Sequence, residues 1–223
     1  MLRFNPNIPF EAANFFSQKN LDELNVHELS YIHLNTLHGH ASLKTTYVYS
    51  SLYSLKENLF SSFNNIRTKN YTPLFTAFSM LEQIGNMYTP SQKTSNKTNG
   101  IKRALELFGN VTKHDINSLV MLRNGLYHNG SLVSKKEYNN QTDVIYRLSS
   151  SGGVLITPPK IQWDGIFRDN LADYLSIVDT VTLKNEVINV CDNAFSLLEK
   201  NNLNISLQDA REFYFKYLFS QAK

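Results

Sequence analysis

The chain has 223 residues, of which 42% are hydrophobic and 18% are charged. These proportions exclude an intrinsically disordered protein and allow a sizeable hydrophobic core. The formal net charge of +3, from 22 Lys and Arg against 19 Asp and Glu, is too small to indicate a nucleic-acid-binding protein by itself.

The cysteine content and the apolar runs indicate a cytoplasmic location. The single cysteine, Cys191, excludes an internal disulfide, and the N-terminus has no apolar stretch that resembles a secretion signal. No run approaches the ~18 apolar residues of a membrane-spanning helix, so no contact with a membrane is expected. Cys191 shares an apolar helical stripe with Val187 and Ala194, which predicts a core position.

The first 130 residues carry the hydrophobic spacing of helices. Apolar residues recur at steps of three and four, which places them on one face of each helix. Thr72-Pro73 supplies a cap followed by proline at the first helical position, and Thr112 with Asp115 forms a capping-box signature. The helices predicted in this part span residues 10–18, 26–37, 43–63, 73–88, 101–108 and 112–129.

The pattern then changes to short β-prone runs. Residues 144–148 and 154–157 are rich in β-branched side chains and are separated by the five residues 149–153, which include two glycines. Pro158 and Pro159 end the second run. A β-hairpin insertion is therefore expected over about residues 142–158.

Helical spacing resumes after the predicted hairpin. Ser206 and Asp209 form a second capping-box signature before the last helix. The whole chain is interpreted as one mainly α-helical (all-α) domain, residues 1–223, with a helical core over about 43–130 and C-terminal helices over about 166–219. The helices predicted in this part span residues 166–178, 181–200 and 206–218.

An arginine and a histidine five positions apart lie near the end of the predicted 112–129 helix. Arg123 carries a permanent cation and His128 a base that titrates near neutrality, which suits phosphodiester chemistry without a metal. Asn124 lies one turn from His128, so both side chains can reach one ligand. Arg123 falls within an apolar arc, and three explanations are open: a carboxylate partner such as Glu82, a subunit interface, or a phosphate site.

Arg123-Asn124-x-x-x-His128, late in a helix of a helical bundle, resembles the signature of the HEPN superfamily (higher eukaryotes and prokaryotes nucleotide-binding domains). The resemblance covers about residues 43–130. It implies a metal-independent ribonuclease of the kind found in toxin–antitoxin, abortive-infection and CRISPR-associated systems, in which two motifs meet across a homodimer. Other members have lost catalysis and serve as interaction or RNA-binding modules.

The resemblance also implies roles for individual residues. His128 would act as general base or acid, Arg123 would stabilise the phosphorane, and Asn124 would orient the phosphate or a catalytic group. The products would be a 2′,3′-cyclic phosphate and a 5′-hydroxyl. HEPN toxins regulated by a nucleotidyltransferase antitoxin carry a tyrosine two positions after the histidine, where this chain has Gly130.

The residues around the motif favour an anionic ligand such as RNA. Positive residues cluster there in sequence, among them Lys102, Lys135 and Lys136, and Tyr127 is a candidate to stack on a base. No cofactor is expected. The spacing of four other histidines fits no tight ligand set, so no metal is expected either. These are His27, His33, His38 and His40.

The sequence is compatible with three functions, of which the first is preferred to the second and the second to the third. The first is an endoribonuclease of a defence or toxin–antitoxin system, working as a homodimer through the motif helices. The second is a catalytically silent HEPN module that binds RNA or a protein, such as an antitoxin or a larger defence complex. The third is a helical interaction protein unrelated to RNA, which would fit if Arg123 pairs with Glu82.

Overall fold

The computed structural model describes residues 1–35, 37–136 and 142–223, in which helices alternate with short strands. In chain order the elements are α1 (Pro9–Ser17), α2 (Val26–Leu34), β1 (His40–Ser42), β2 (Thr46–Ser50), α3 (Ser51–Phe63), α4 (Thr72–Met87), β3 (Tyr88–Pro90), α5 (Gly100–Phe108), α6 (Lys113–Asn129), β4 (Val133–Ser134), β5 (Val144–Ser149), β6 (Ile156–Thr157), β7 (Leu175–Asp179), α7 (Thr180–Glu199), β8 (Leu203–Ile205), α8 (Ala210–Tyr217) and β9 (Leu218–Ala222).

Helix α4 lies at the centre of the core and packs against α3, α5, α6 and α7. Its apolar side chains cover more than one face, and Phe78, Leu81 and Ile84 have no exposed surface. A helix that is apolar on several sides is stable only when neighbours surround it. The backbones of α4 and α5 approach each other closely where Gly85 faces Gly100, because neither residue has a side chain at the crossing.

Within residues 1–35, 37–136 and 142–223 the strands form three small sheets. Strands β1, β2 and β9 form an antiparallel sheet in which the last strand returns to the first part of the chain, with Thr46 opposite Ala222. Strands β3 and β8 pair as an antiparallel ribbon. The third sheet has the order β4-β5-β7-β6, with β5 and β7 parallel and the other pairs antiparallel.

The expectation of a mainly α, all-α bundle is wrong. Of the residues that the structure describes, about 49% are in helices and about 16% in strands, so the fold is mixed α/β. Part of the difference lies at the start of the predicted 43–63 helix, where Thr46–Ser50 form β2 and the helix begins only at Ser51. The residues of β2 are mostly β-branched or aromatic, which favours a strand once a neighbouring strand is present.

The predicted β-hairpin over about 142–158 is also wrong. Its two strands, β5 and β6, do not pair with each other, because β7 lies between them. Strand β5 runs parallel to β7, with Ile145 opposite Leu175, whereas β6 is antiparallel to β7, with Ile156 opposite Val178. The strand that separates them is supplied by residues that the sequence spacing assigned to a helix.

The predicted helix over 166–178, the first of the C-terminal helices placed at about 166–219, is not formed. Ala172–Tyr174 make a single 3-10 turn and Leu175–Asp179 form β7. In β7 alternate side chains point to opposite faces, and pairing with β5 and β6 satisfies its backbone groups on both sides.

The bounds of the remaining helices agree with the predicted bounds to within a few residues. Helices α4, α5, α6 and α7 match predicted segments, and Cys191 is buried within α7 as expected. The last helix starts after Asp209, which caps it, and not after Ser206. The predicted 26–37 helix ends at Leu34, and Thr36 lies outside the described residues. None of the helices in the described ranges is long and apolar enough to cross a membrane.

Candidate functional site

Helix α6 carries the Arg-Asn-x3-His motif in its last two turns. The Thr112 side chain accepts a hydrogen bond from the backbone N–H of Asp115 and caps its start. Gly130 ends it in the left-handed conformation, with φ of 60°. Both boundaries agree with the sequence prediction, because each depends on a local capping residue.

Arg123 forms an ion pair with Glu82 of α4. Its Nη2 lies 2.6 Å from the Glu82 Oε1, and the two side chains are 20% and 30% exposed. The guanidinium also lies 4.7 Å from the centre of the Tyr127 ring. Of the three explanations left open for Arg123, the structure therefore places a carboxylate partner beside it. Its Nε is buried without a hydrogen-bond partner among the described residues.

Tyr127 is attached to α4 as well. Its hydroxyl donates a hydrogen bond to the Phe75 carbonyl oxygen at 3.0 Å and lies 2.9 Å from the Ser79 hydroxyl. The two rings of Phe75 and Tyr127 pack with their centres 5.4 Å apart. Tyr127 is 38% exposed, but Arg123 and Phe75 already contact its ring. Arg123 and Tyr127 together hold the end of α6 against α4.

His128 faces solvent on another side of α6 and lines an open cavity of about 430 Å³, called here the His128 cavity. Asn124 and Lys135 line the same cavity, so three of the residues predicted for the site come together. The lining does not include the other four predicted site residues, which are Arg123, Tyr127, Lys102 and Lys136. Its polar side chains are Asn124, His128, Asn129, Ser131, Ser134 and Lys135.

The turn after α6 brings Lys135 to the cavity. The Ser131 N–H donates to the Gly125 carbonyl at 3.0 Å, so the chain folds back over the helix. A side chain at Gly125 would lie within 2.9 Å of the Ser131 carbonyl oxygen and 3.0 Å of that of Val133, so glycine permits this close return. Strand β4 then pairs with β5 and carries the chain past the cavity.

Phe167 completes the cavity and was not predicted from the sequence. Its ring is 61% exposed, and the Lys135 Nζ lies 5.8 Å from its centre. The ring packs 5.0 Å from that of Trp163, which is buried and donates from Nε1 to the Ile166 carbonyl at 2.9 Å. The one signal in the sequence was the single tryptophan, because a buried Trp anchors the loop that presents Phe167.

The other two predicted nucleic-acid contacts lie elsewhere. Lys136 is exposed, and its backbone N–H donates to the Asp143 carboxylate at 2.8 Å. Lys102 is in the first turn of α5, where its N–H is capped by the Asn99 side chain. A lysine outside the cavity can still add to the positive field around it, since charges act over about 8 Å at physiological ionic strength.

The described residues include no group of three or more His, Cys, Asp or Glu side chains placed to hold a metal ion. His33 lies in the core, between the Tyr88 hydroxyl at 2.8 Å and the Gln83 Oε1 at 3.0 Å. Its complete burial lowers its pKa to about 4. A neutral histidine held by two hydrogen bonds in the core has a structural role.

Comparison with known proteins provides no further assignment. The chain matches no family model, no curated protein and no solved structure. The chemistry of the His128 cavity is therefore the basis for any function. It combines an imidazole, an ammonium, two amides and two hydroxyls beside an exposed aromatic ring, and these groups suit the phosphate, the sugar and the base of a nucleotide.

Proposed function

We propose that the protein binds single-stranded RNA in the His128 cavity and cleaves it without a metal ion. The observation that supports this proposal is that His128, Asn124 and Lys135 line one open cavity. Lys135 neutralises the phosphate, Asn124 orients it by hydrogen bonding, and Phe167 stacks on a base. Each task suits the residue type that performs it.

His128 supplies the proton transfer in this proposal. As a base it removes the proton of the ribose 2′-hydroxyl, whose oxygen attacks the adjacent phosphorus, and the P–O5′ bond breaks. As an acid, His128 of the partner subunit gives a proton to the leaving 5′-oxygen. The products are a 2′,3′-cyclic phosphate and a 5′-hydroxyl, as the resemblance to HEPN ribonucleases implies.

Arg123 acts as a positioning residue in this scheme. Because its guanidinium is held by Glu82, it fixes the last turns of α6 against α4 and so orients Asn124 and His128. This differs from the role implied by the HEPN resemblance, in which the arginine stabilises the phosphorane. Lys135 takes over the stabilisation of that charge in the proposal.

A homodimer belongs to the proposal because the reaction needs both a base and an acid. His128 is the one histidine among the described residues of the cavity lining, and histidine is the side chain that serves most often as a general acid or base. A two-fold pair of chains supplies a second His128. Ile166, 58% exposed, directly precedes Phe167 in the chain and suits such a contact.

The biological setting of the proposal comes from the HEPN resemblance. It is a defence or toxin–antitoxin system, with an antitoxin or a larger defence complex as the protein partner. A cytoplasmic location fits the single, buried cysteine, because reducing compartments keep such thiols unpaired.

A second candidate function is an interaction module that does not cleave RNA. The ion pair between Arg123 and Glu82 favours it, because an arginine that already has a carboxylate partner is less available to a phosphate. Such a module binds RNA or a protein partner through the same exposed surface. The two candidates differ in whether bound RNA is cut.

The test uses end-labelled transfer RNA and an unstructured RNA with the purified protein in EDTA. We expect cleavage that leaves a 2′,3′-cyclic phosphate, and a loss of at least about 100-fold in the cleavage rate for His128→Ala.

The matched control is His114→Ala, because this histidine lies at the other end of α6 with its side chain 74% exposed. Equal cleavage by wild type and His128→Ala would exclude the ribonuclease. Binding without cleavage by the wild type would favour the interaction module.

A further inference from the structure

A second cavity, of about 700 Å³, lies between α1, α2, the β1–β2 strands, α3 and the end of α7. We call it the aromatic cavity, after the five aromatic rings that line it. It shares no lining residue with the His128 cavity. Its volume is in the range of cavities that bind small organic ligands. The five rings belong to Phe16, Tyr31, Tyr49, Tyr53 and Phe195.

The walls of the aromatic cavity are held in place by the core. The ring of Tyr31 lies 6.0 Å from that of Phe16 and 5.3 Å from that of Phe195, centre to centre. On the opposite wall the Tyr53 ring lies directly against Gly39, where a side chain would come within 2.5 Å of the ring. Glycine at this position therefore lets the ring occupy its place. A site that is formed before its ligand arrives loses less entropy on binding.

Glu199 is one of the residues that line this cavity. Glu199 ends α7, and no hydrogen bond or ion pair joins it to any residue in the described part of the chain. Burial raises the pKa of Glu199, and the neighbouring Lys200 offsets only part of this effect. A carboxylate in such surroundings gains from a cation beside it.

Two other polar side chains of the lining, those of Asn35 and His40, already contact neighbouring groups. The Asn35 side-chain oxygen accepts hydrogen bonds from the N–H groups of Leu37 and His38, at 3.2 and 3.3 Å. The His40 ring packs against that of Tyr49 at 5.5 Å. No lysine or arginine lines the cavity among the described residues, so it offers no permanent positive charge to an anion.

We propose that the aromatic cavity binds a small organic cation, an amine with an aromatic or other apolar body. The ammonium group pairs with Glu199 and lies over the faces of the tyrosine rings, while the apolar body packs against Phe16 and Phe195. Aromatic faces attract cations through the negative charge of the ring face, and the attraction strengthens when water is excluded. This binding is independent of the proposed action on RNA.

Three indole compounds that differ in charge test the proposal by calorimetry on the full-length protein. Tryptamine is a cation, tryptophol is its neutral alcohol, and indole-3-acetate is an anion. We expect tryptamine to bind at least about tenfold more tightly than tryptophol, and indole-3-acetate to bind most weakly.

The variant Glu199→Gln removes the charge of this side chain and keeps its shape. Its affinities for tryptamine and tryptophol should therefore differ by no more than about twofold. Glu57→Gln, at an exposed position of α3, is the control and should keep the preference.

A second variant tests where the amine binds and leaves Glu199 unchanged. Ala13 lines the cavity from an exposed position on α1, so Ala13→Trp fills the mouth with little effect on folding. We expect it to weaken tryptamine and tryptophol alike by at least about tenfold. The proposal is overturned if the wild type binds tryptamine no better than tryptophol, if Glu199→Gln keeps the preference, or if Ala13→Trp binds tryptamine as the wild type does.

Discussion

The Nη2 of Arg123 lies 2.6 Å from the Oε1 of Glu82, and this ion pair joins the motif helix α6 to the central helix α4. The same guanidinium covers the ring of Tyr127, whose hydroxyl is itself bonded to α4. The residue that resembles a catalytic arginine therefore holds two helices together.

Arg123→Ala should lower the free energy of unfolding by about 1–2 kcal/mol, because it removes a charged hydrogen bond and the contact with the Tyr127 ring. Urea denaturation measures the change. Arg211→Ala, at an exposed position of α8, should change it by less than about 0.5 kcal/mol. The double variant Arg123→Ala with Glu82→Ala should lose less than the two single variants together. Strictly additive losses would show that the ion pair contributes nothing.

Phe167→Ala should weaken the binding of single-stranded RNA by about 5- to 150-fold, because one stacked base contributes about 1–3 kcal/mol. The free energy of unfolding should stay nearly constant, since the ring is 61% exposed. Fluorescence anisotropy with a labelled RNA measures the affinity. Phe215→Ala, at an 81% exposed position of α8, is the matched control and should bind RNA as the wild type does. Unchanged affinity in Phe167→Ala would exclude Phe167 as a stacking residue.

The buried His33 should make stability depend on pH. Burial lowers its pKa from the ordinary 6.5 to about 4, so between these values the unfolded chain binds a proton that the folded protein does not. The free energy of unfolding should therefore fall as the pH drops from about 6.5 towards about 4, by up to about 3 kcal/mol. Above about pH 6.5 this contribution should be complete.

Urea denaturation at a series of pH values, with His33→Gln for comparison, measures this effect. Burial also lowers the pKa of His27, which acts in the same direction, so the difference between wild type and variant isolates His33. The variant should show a clearly smaller loss of stability on acidification. The same loss in both proteins would contradict the assignment of a neutral His33 between Tyr88 and Gln83.

Asp179 caps α7 and anchors the loop before β6. It accepts hydrogen bonds from the backbone N–H groups of Thr182, Ser151 and Gly152, at 2.8, 2.9 and 3.1 Å. Burial alone would raise the pKa of this carboxyl, but hydrogen bonds from Thr182, the Ser149 side chain and Gly152 lower it to about 2. Asp179→Ala should lower the free energy of unfolding by about 2–3 kcal/mol, and Asp179→Asn by less, because asparagine is also a good cap. Thermal unfolding distinguishes the two, and equal losses would contradict the capping role.

Gly85→Ala should destabilise the protein by about 3 kcal/mol, because the added methyl group would overlap the Gly100 carbonyl at the α4–α5 crossing. Gly130→Ala is the comparison. At Gly130 nothing lies within 4 Å of an added methyl group, so only the positive φ opposes alanine, at a cost of about 1 kcal/mol. Chemical denaturation of both variants should give the larger loss for Gly85→Ala. The reverse order would mean that the helices can separate at the crossing without cost.

Much of the helical scaffold could be predicted from the sequence because it depends on neighbours in the chain. The start of α6 at Thr112 and its end at Gly130 follow from capping residues within the helix itself. The placement of Asn124 and His128 within reach of one ligand follows from the helical repeat. Cys191 is in the core for the same reason, since its spacing from Val187 and Ala194 is helical.

The sheets could not be predicted because a strand is stabilised by partners that are distant in the chain. Residues 175–179 form β7 only because β5 and β6 pair on its two sides, and local spacing cannot identify those partners. The same holds for β2, which depends on β9 at the other end of the chain. Short β-prone runs next to each other in sequence indicated a hairpin, whereas the pairing that formed places a third strand between them.

The same distinction between local and long-range contacts applies to the candidate site. The sequence by itself determined that a histidine, an amide and an arginine lie in the last turns of one amphipathic helix, since helix geometry sets their separations. Only the tertiary structure decided that Arg123 pairs with Glu82, that the chain folds back at Gly125 to bring Lys135 to His128, and that Phe167 joins them. The physical reason is that side chains on one helix are related by a repeat of 3.6 residues, while contacts between elements depend on how the whole core packs.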